Sequence, residues 1–346
     1  MKRGALVCAL AAFAATACNT PEFEQIVDSY VDIHIQESEP LVDVLFVIDN
    51  SLSMEDEQEK LAANFDSFIQ SFFIAGTQYH VGVITTDREV GDGRLQGDPL
   101  FIRPETPDAA DAFRNNVRVG IDGSGHERGL SATARALSPD LHNGWNQGFR
   151  RDIAKLVLVY VSDENDHSGG SVGQYLELFQ EYKDNDHDKL MVSALIGLGD
   201  DGEPGDCGGE FPDGAEAGWR YWDLAQVTGG FAGSICAEDF AGIVGAIGQA
   251  ASGMISVFPL QEEPDAETLE VRLFVPGTPA FFGEGYVVPP EGFEGNWAWE
   301  LVQTEDGWAL WFPDPAQVPP PETRVEVRYD GVPLSFGGSD DETTTL

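Results

Sequence analysis

Four runs rich in apolar residues stand out in the first two thirds of the chain, at residues 42–48, 80–86, 156–161 and 189–197, and those at 42–48 and 156–161 are almost uninterrupted. They are rich in valine, isoleucine and leucine, which suits β-strands. A strand with one buried face alternates between apolar and polar residues, whereas a strand covered on both faces does not. The pattern therefore predicts four buried parallel strands.

The segments between these strands have apolar residues at helical spacing. In residues 54–75, Leu61, Phe65 and Phe68 fall on one face and the acidic residues lie elsewhere. Further helices are predicted at residues 129–138, 171–183, 219–227 and 238–251. Strands that alternate with helices are typical of a doubly wound, mostly parallel sheet with helices on both faces. We therefore predict an α/β domain over residues 41–254.

The flanking segments have different patterns. From residue 256 prolines interrupt alternating runs rich in aromatic residues and valine, which predicts a small C-terminal β domain at residues 256–336. The polar residues 337–346 predict a disordered tail. The polar and acidic residues 18–40 predict a tether that precedes the α/β domain.

The first 17 residues have the pattern of a secretory signal peptide, because Lys2 and Arg3 precede an apolar run that ends in small residues. The sequence around Cys18 resembles a bacterial lipobox, which implies an acylated cysteine and a lipid anchor. Asn19 stands where aspartate would resemble an inner-membrane retention signal, so we expect the outer membrane of the cell envelope. Ordinary signal cleavage near Ala17 is the alternative. No later stretch approaches the ~20 apolar residues of a transmembrane helix.

The cysteines fit an exported protein. The chain has four of them, of which Cys8 would leave with the signal peptide and Cys18 would carry the lipid. Cys207 and Cys236 then remain as a pair, which predicts one disulfide bond. A zinc site is disfavoured because the two lie far apart, with no C-x-x-C motif and no nearby histidine pair.

The charge of the chain restricts its partners. With 60 acidic and 19 basic residues, the formal net charge is -41. Such a chain repels phosphate backbones, so we expect no nucleic-acid partner. It favours divalent cations, although most of the carboxylates are explained by solubility alone. The sequence also has no nucleotide-binding loop, no G-x-S-x-G turn and no H-E-x-x-H motif, so we predict neither a nucleotide ligand nor an enzyme.

One short motif follows the first predicted strand. Asp49, Ser51 and Ser53 form a D-x-S-x-S pattern directly before the first predicted helix. In a doubly wound sheet this turn lies at the carboxyl edge, where ligands bind. Hydroxyl and carboxylate oxygens suit Mg²⁺, Mn²⁺ or Ca²⁺. The alternative is that one of these residues caps the helix, but a cap needs only one such residue.

The motif and its place resemble the metal-ion-dependent adhesion site of von Willebrand factor type A domains. The resemblance covers about residues 41–254 and implies a further ligand after the fourth strand, a position that Asp163 matches. The family also has a threonine ligand in a Gly-rich loop. This chain has none there, and His126 or Glu127 falls near its place, so Glu127, His126 or water would substitute.

The resemblance implies a function. We expect a divalent cation, in the first place Mg²⁺, and a protein partner whose acidic residue completes the coordination of the ion. A calcium-stabilised structural protein of the envelope is one alternative, and a metal-dependent hydrolase is a less favoured one.

Overall fold

The computed structural model describes residues 28–332, except for 210–213, 305–306 and 315–316. The predicted signal peptide, Cys18 and the predicted tail at 337–346 lie outside the described residues. The strands, in chain order, are β1 (Ser29–Ile35), β2 (Leu41–Ile48), β3 (Gln78–Thr85), β4 (Phe101–Ile102), β5 (Lys155–Val161), β6 (Leu190–Ile196), β7 (Ala232–Ser234), β8 (Val257–Pro259), β9 (Glu270–Phe274), β10 (Tyr286–Val287), β11 (Glu300–Thr304), β12 (Gly307–Trp311) and β13 (Arg324–Asp330).

The α-helices are α1 (Glu55–Ala63), α2 (Phe65–Ala75), α3 (Ala109–Asn116), α4 (Gly129–Leu137), α5 (Pro139–His142), α6 (Val172–Glu181), α7 (Trp219–Val227) and α8 (Ala241–Ala251). No helix in the described part of the chain is long and apolar enough to cross a membrane.

The central sheet has six strands in the order β4-β3-β2-β5-β6-β7. All neighbours in it are parallel except β4, which pairs antiparallel with β3 at one edge. The predicted doubly wound, mostly parallel sheet is therefore confirmed. The apolar runs of β2, β5 and β6 are explained by burial, because these strands lie inside the sheet and are covered on both faces.

Alternate residues of β2 enter two separate cores. Phe46 and Ile48 pack with α1, α2, α3 and α8 on one face of the sheet. Leu45 and Val47 pack with α4, α6 and α7 on the other. This division follows from the two-residue period of a strand, which sends successive side chains to opposite faces. Both faces are thus covered by helices.

The helical segment predicted at 54–75 is not continuous. A short 3-10 turn at Leu52–Met54 leads into α1, and α2 begins only after a break at Asn64. The side-chain amide of Asn64 donates a hydrogen bond to the Lys60 carbonyl at 2.8 Å, and the backbone ψ angle of Asn64, 14°, lies outside the helical range. Asparagine favours such ends because its side chain competes for backbone partners. The helix α2 then ends at Gly76, which has a φ of 66°.

The C-terminal β region contains two antiparallel sheets, one of them with the order β1-β13-β9-β10. The prediction of a tether at 18–40 is wrong for Ser29–Ile35, which pairs with β13 along its whole length. Buried Asp32 fixes this strand, because it accepts hydrogen bonds from the Gln261 backbone and the Tyr329 hydroxyl. The β unit is therefore built from both sides of the α/β domain, not from 256–336 alone.

The predicted disulfide is present between Cys207 and Cys236, whose Cα atoms lie 6.1 Å apart. It joins the loop after β6 to the residue that follows β7 by two positions. The loop also pairs with itself, since Cys207 and Ala215 exchange two backbone hydrogen bonds. These contacts hold the loop beside the carboxyl edge of the sheet.

Candidate metal centre

The centre lies where the connections of the sheet diverge. From β2 the chain continues to β3 on one side, whereas β5 and β6 lie on the other. The carboxyl ends of β2 and β5 therefore flank the crevice in which doubly wound proteins bind ligands. Asp49 directly follows the first of these strands, and Ser162 and Asp163 follow the second.

Asp49 is fully buried and held in one orientation. The Ser51 backbone N–H donates to its Oδ1 and the Ser162 hydroxyl donates to its Oδ2, each at 2.7 Å. Burial and the nearby charge of Asp163 raise the pKa of Asp49 to about 7. Two carboxylates therefore lie close together in a site that disfavours their charges.

The two serines of the motif point to a common place. The hydroxyl oxygens of Ser51 and Ser53 lie 3.1 Å apart. Ser51 occupies the N-cap position of the 3-10 turn, but its side chain makes no capping hydrogen bond. Capping thus does not account for these hydroxyls. Leu52 between them is 75% exposed.

Asp163 lies at the mouth of the site and is 8% exposed. Burial raises its pKa, and hydrogen bonding to Ser53 and Asp49 lowers it in part. Its Oδ1 is buried and has no hydrogen-bond partner in the described residues. Buried carboxylate oxygens without partners are costly, and a bound cation is one way to satisfy them.

Glu127 and His126, the two candidates for the place of the family's threonine, differ in burial. The Glu127 side chain is fully buried, accepts a hydrogen bond from the Thr86 hydroxyl at Oε2, and has no partner in the described chain at Oε1. Burial first and the charge of Asp49 second raise its pKa to about 9. His126 is exposed. Of the two candidates for the missing threonine, Glu127 is therefore the one that lies inside the site.

Three supporting residues were not predicted from the sequence. Ser162 orients Asp49, Thr86 orients Glu127, and Gln58 donates to the Asp49 carbonyl at 3.1 Å. Thr86 directly follows β3, so it ends a strand at the same edge of the sheet as Asp49. Thr86 and Ser162 each directly follow a buried strand, which was an available signal, but neither of them nor Gln58 in α1 belongs to a motif.

The donor set fits a hard divalent cation. Among the described residues, no three His, Cys, Asp or Glu side chains form a metal-binding group by themselves. The site instead combines the carboxylates of Asp49 and Asp163 with the hydroxyls of Ser51 and Ser53. Such an oxygen-only set suits Mg²⁺, Mn²⁺ or Ca²⁺, and Mg²⁺ commonly keeps several waters beside one or two carboxylates.

The centre opens to solvent through a cleft of about 240 Å³. Its walls carry His126, Asp163, Glu164, His167 and Glu216, together with two glycines. The backbone N–H of Glu216 donates to the Asp163 carbonyl at 2.8 Å, which fixes the loop after β6 against the centre. A group from another molecule can therefore reach Asp163 from outside.

No protein-family profile matches the chain, and no curated protein sequence is significantly similar to it. Solved structures do match. The pilus adhesin SpaC from Lactobacillus rhamnosus GG, in an open conformation, is 14% identical with a TM-score of 0.38, and the match covers 87% of this chain and 40% of SpaC.

A von Willebrand factor type A protein from Catenulispora acidiphila is 13% identical with a TM-score of 0.36, and the match covers 93% of this chain and 69% of that one. Proximal thread matrix protein 1 from the mussel byssus is 10% identical with a TM-score of 0.31, over 46% of this chain and 39% of that one. At such low identities and scores these similarities add nothing to the argument about function.

Proposed function

We propose that this protein is a divalent-cation-dependent protein-binding module of the cell envelope. The observation that carries the proposal is the group of buried carboxyl groups of Asp49, Asp163 and Glu127 at the switch point of the sheet. None of them pairs with a lysine or arginine of the described chain, and Asp163 and Glu127 each have a buried oxygen without a partner. A cation is the missing counter-charge.

Asp49, Ser51, Ser53 and Asp163 would hold the ion, with Mg²⁺ as the first candidate and Mn²⁺ or Ca²⁺ as alternatives. When bound, the ion supplies a positive charge that attracts an oxygen anion from outside. Asp49 stays aligned through Ser51 and Ser162. Glu127 either joins the coordination shell or stays bonded to Thr86, in which case a water fills the place of the family's threonine.

The cleft beside Asp163 favours binding over the two alternative functions. A purely structural calcium site needs no opening, whereas here a partner's acidic side chain can approach the centre. A hydrolase needs a base beside the ion, and Glu127 is buried away from the cleft, with its Oε2 bonded to Thr86. We therefore propose a protein ligand that presents an acidic residue, and no enzymatic activity.

We also propose that the protein is anchored to the outer membrane through acylated Cys18. Asp28, the first described residue, follows that cysteine by ten positions, so an extended connection reaches at most about 35 Å. The β unit, which begins with β1, would then stay close to the membrane surface. The strong negative charge argues against nucleic-acid partners, and the absence of a nucleotide-binding loop argues against nucleotides. Mass spectrometry of the membrane-extracted protein tests the anchor, because an unmodified N-terminus elsewhere contradicts it.

The metal site is tested by thermal melts of the full mature protein in Mg²⁺, Mn²⁺ or Ca²⁺ against chelator. We expect at least one ion to raise the melting temperature, and the increase should grow with the logarithm of the ion concentration once the site is saturated. Ser51→Ala combined with Ser53→Ala should abolish the increase, and Glu177→Gln on the exposed side of α6 should leave it unchanged. Glu127→Gln should weaken ion binding if Glu127 joins the coordination shell, and should leave ion binding unchanged if Glu127 only stays bonded to Thr86. If no ion stabilises the wild type, the proposal is wrong.

A further inference from the structure

A second cavity lies at the opposite edge of the central sheet from the candidate metal centre. Lys155 and Leu190, the first residues of β5 and β6, line it together with residues of α8. The β unit closes another side, through Trp311 at the end of β12 and Phe312 after it. The cavity has a volume of about 870 Å³, which is within the range of small-molecule sites.

Much of the wall of this cavity is apolar and only partly covered. Phe231, Ile255 and Val257 line it, and they are 38%, 43% and 40% exposed. Contact with an apolar ligand would remove this surface from water, which is favourable. The side chains of Met191 and Met254 also belong to the wall, and methionine adapts readily to the shape of a neighbour. The cavity therefore suits a ligand with an apolar body.

Lys155 supplies a positive charge to the wall. Among the described residues its ammonium group forms no ion pair and donates no hydrogen bond. Glu39 lies near it, but the carboxylate of Glu39 already pairs with Lys189 at 3.5 Å. Burial lowers the pKa of Lys155, and the charge of Glu39 opposes this decrease. Asp188, the other carboxylate on the wall, is exposed to water. An anionic ligand would thus give Lys155 the partner that the described chain does not provide.

Gln249 in α8 is a second polar group on the wall that lacks a partner. The residue is only 7% exposed, and its side-chain amide makes no hydrogen bond within the described part of the chain. Because Gln249 lines the cavity, its amide can donate to an oxygen atom of a ligand there. A large apolar cavity with a few polar groups that await a partner is the usual composition of a small-molecule site.

We propose that this cavity binds a small amphipathic carboxylate, a molecule with an apolar body and one carboxyl group. The apolar body would contact the methionine and aromatic side chains, the carboxylate would pair with Lys155, and Gln249 would donate to a ligand oxygen. Charge complementarity to Lys155 selects an anion over a neutral molecule. The site is separate from the metal centre, because the cavity shares no lining residue with the cleft beside Asp163.

The test is isothermal titration calorimetry of the mature protein with octanoate and with octanol, which has the same apolar body without the charge. Chelator is present throughout, so that the carboxylate cannot bind through a metal ion. We expect octanoate to bind, and octanol to bind about tenfold more weakly. Lys155→Met should weaken octanoate binding about tenfold and leave octanol binding unchanged. Lys60→Met on α1 is the matched control, because it removes one positive charge outside the cavity.

Two further variants address the rest of the wall. Gln249→Leu should weaken octanoate binding about threefold through the lost hydrogen bond. Ala246→Phe, which places a ring in the cavity, should abolish the binding of both compounds. No binding of octanoate by the wild type, equal affinities for octanoate and octanol, or an equal effect of Lys155→Met and Lys60→Met would overturn the inference. These results do not bear on the metal-dependent function, since Lys155→Met should still be stabilised by Mg²⁺.

Discussion

Replacing Asp49 by asparagine should stabilise the metal-free protein. Asparagine has the same shape and keeps the fixed contacts, since its oxygen can accept from the Ser51 N–H and its amide can donate to the Ser162 hydroxyl. It removes only the charge. If the charge of Asp49 served only to stabilise the fold, the same substitution would destabilise the metal-free protein. The sign of the change in stability therefore distinguishes a metal ligand from a structural residue.

The magnitude follows from the pKa of Asp49, which burial and Asp163 raise from 3.8 to about 7. The folded state then binds more protons than the unfolded state between about pH 4 and pH 7, so stability is lost as the pH rises through that range. At about 1.4 kcal/mol per pKa unit, the full cost at pH 8 is about 4 kcal/mol. Because Asp163 shares part of this repulsion, we expect Asp49→Asn to gain about 2–4 kcal/mol.

Urea unfolding in chelator at pH 8 and at pH 4 measures the difference. The gain should be large at pH 8 and small at pH 4, where Asp49 is protonated in the folded wild type. Addition of Mg²⁺ at pH 8 should stabilise the wild type and leave Asp49→Asn unchanged. If the variant is less stable than the wild type in chelator at pH 8, the repulsion argument is wrong.

Three further changes test the surrounding structure. Loss of the disulfide through Cys207→Ser with Cys236→Ser should lower the free energy of unfolding by about 3–4 kcal/mol, because the bond closes a loop of 29 residues; equal stability of the two proteins would contradict this. Asp32→Ala should cost about 2–3 kcal/mol in urea unfolding, since its donors lose their buried acceptor; no cost would mean that β1 is not fixed by this residue. Burial raises the pKa of Asp43 to about 6 despite its bonds to Arg151, so wild-type stability should fall as the pH rises from about 4 to about 6. Asp43→Asn should flatten that part of the pH profile, and an unchanged slope would exclude Asp43 as its source.

The four long strands of the central sheet, β2, β3, β5 and β6, were predictable because burial on both faces leaves a run rich in apolar residues in the sequence, whereas the short strands β4 and β7 were not predicted. Strand β1 was not predictable, because its apolar side chains face outward and its buried side carries a polar residue. Val31, Ile33 and Ile35 are about half exposed, whereas the inward side carries Asp32 with its hydrogen bonds. An apolar face that points outward and a polar residue that points inward cannot be recognised without the partner strand.

The candidate centre also contains residues that could be predicted from the sequence and residues that could not. Asp49, Ser51 and Ser53 form a local motif, and Asp163 follows the clearest buried strand, so the order of strands alone brings these residues to one edge. Thr86, Ser162 and Gln58 orient the carboxylates and the adjoining backbone through hydrogen bonds whose geometry depends on the folded loops. The choice between His126 and Glu127 also depended on which of two adjacent side chains turns inward.

A crystal of the mature protein soaked in Mn²⁺ tests the central claim most directly, through the anomalous scattering of the ion. We predict one strong peak about 2.2 Å from the hydroxyl oxygens of Ser51 and Ser53, bridged to Asp49 and Asp163 directly or through water, with a coordination position facing the cleft. A map without a peak at this edge of the sheet, or with its peak only at another acidic surface, would contradict the account.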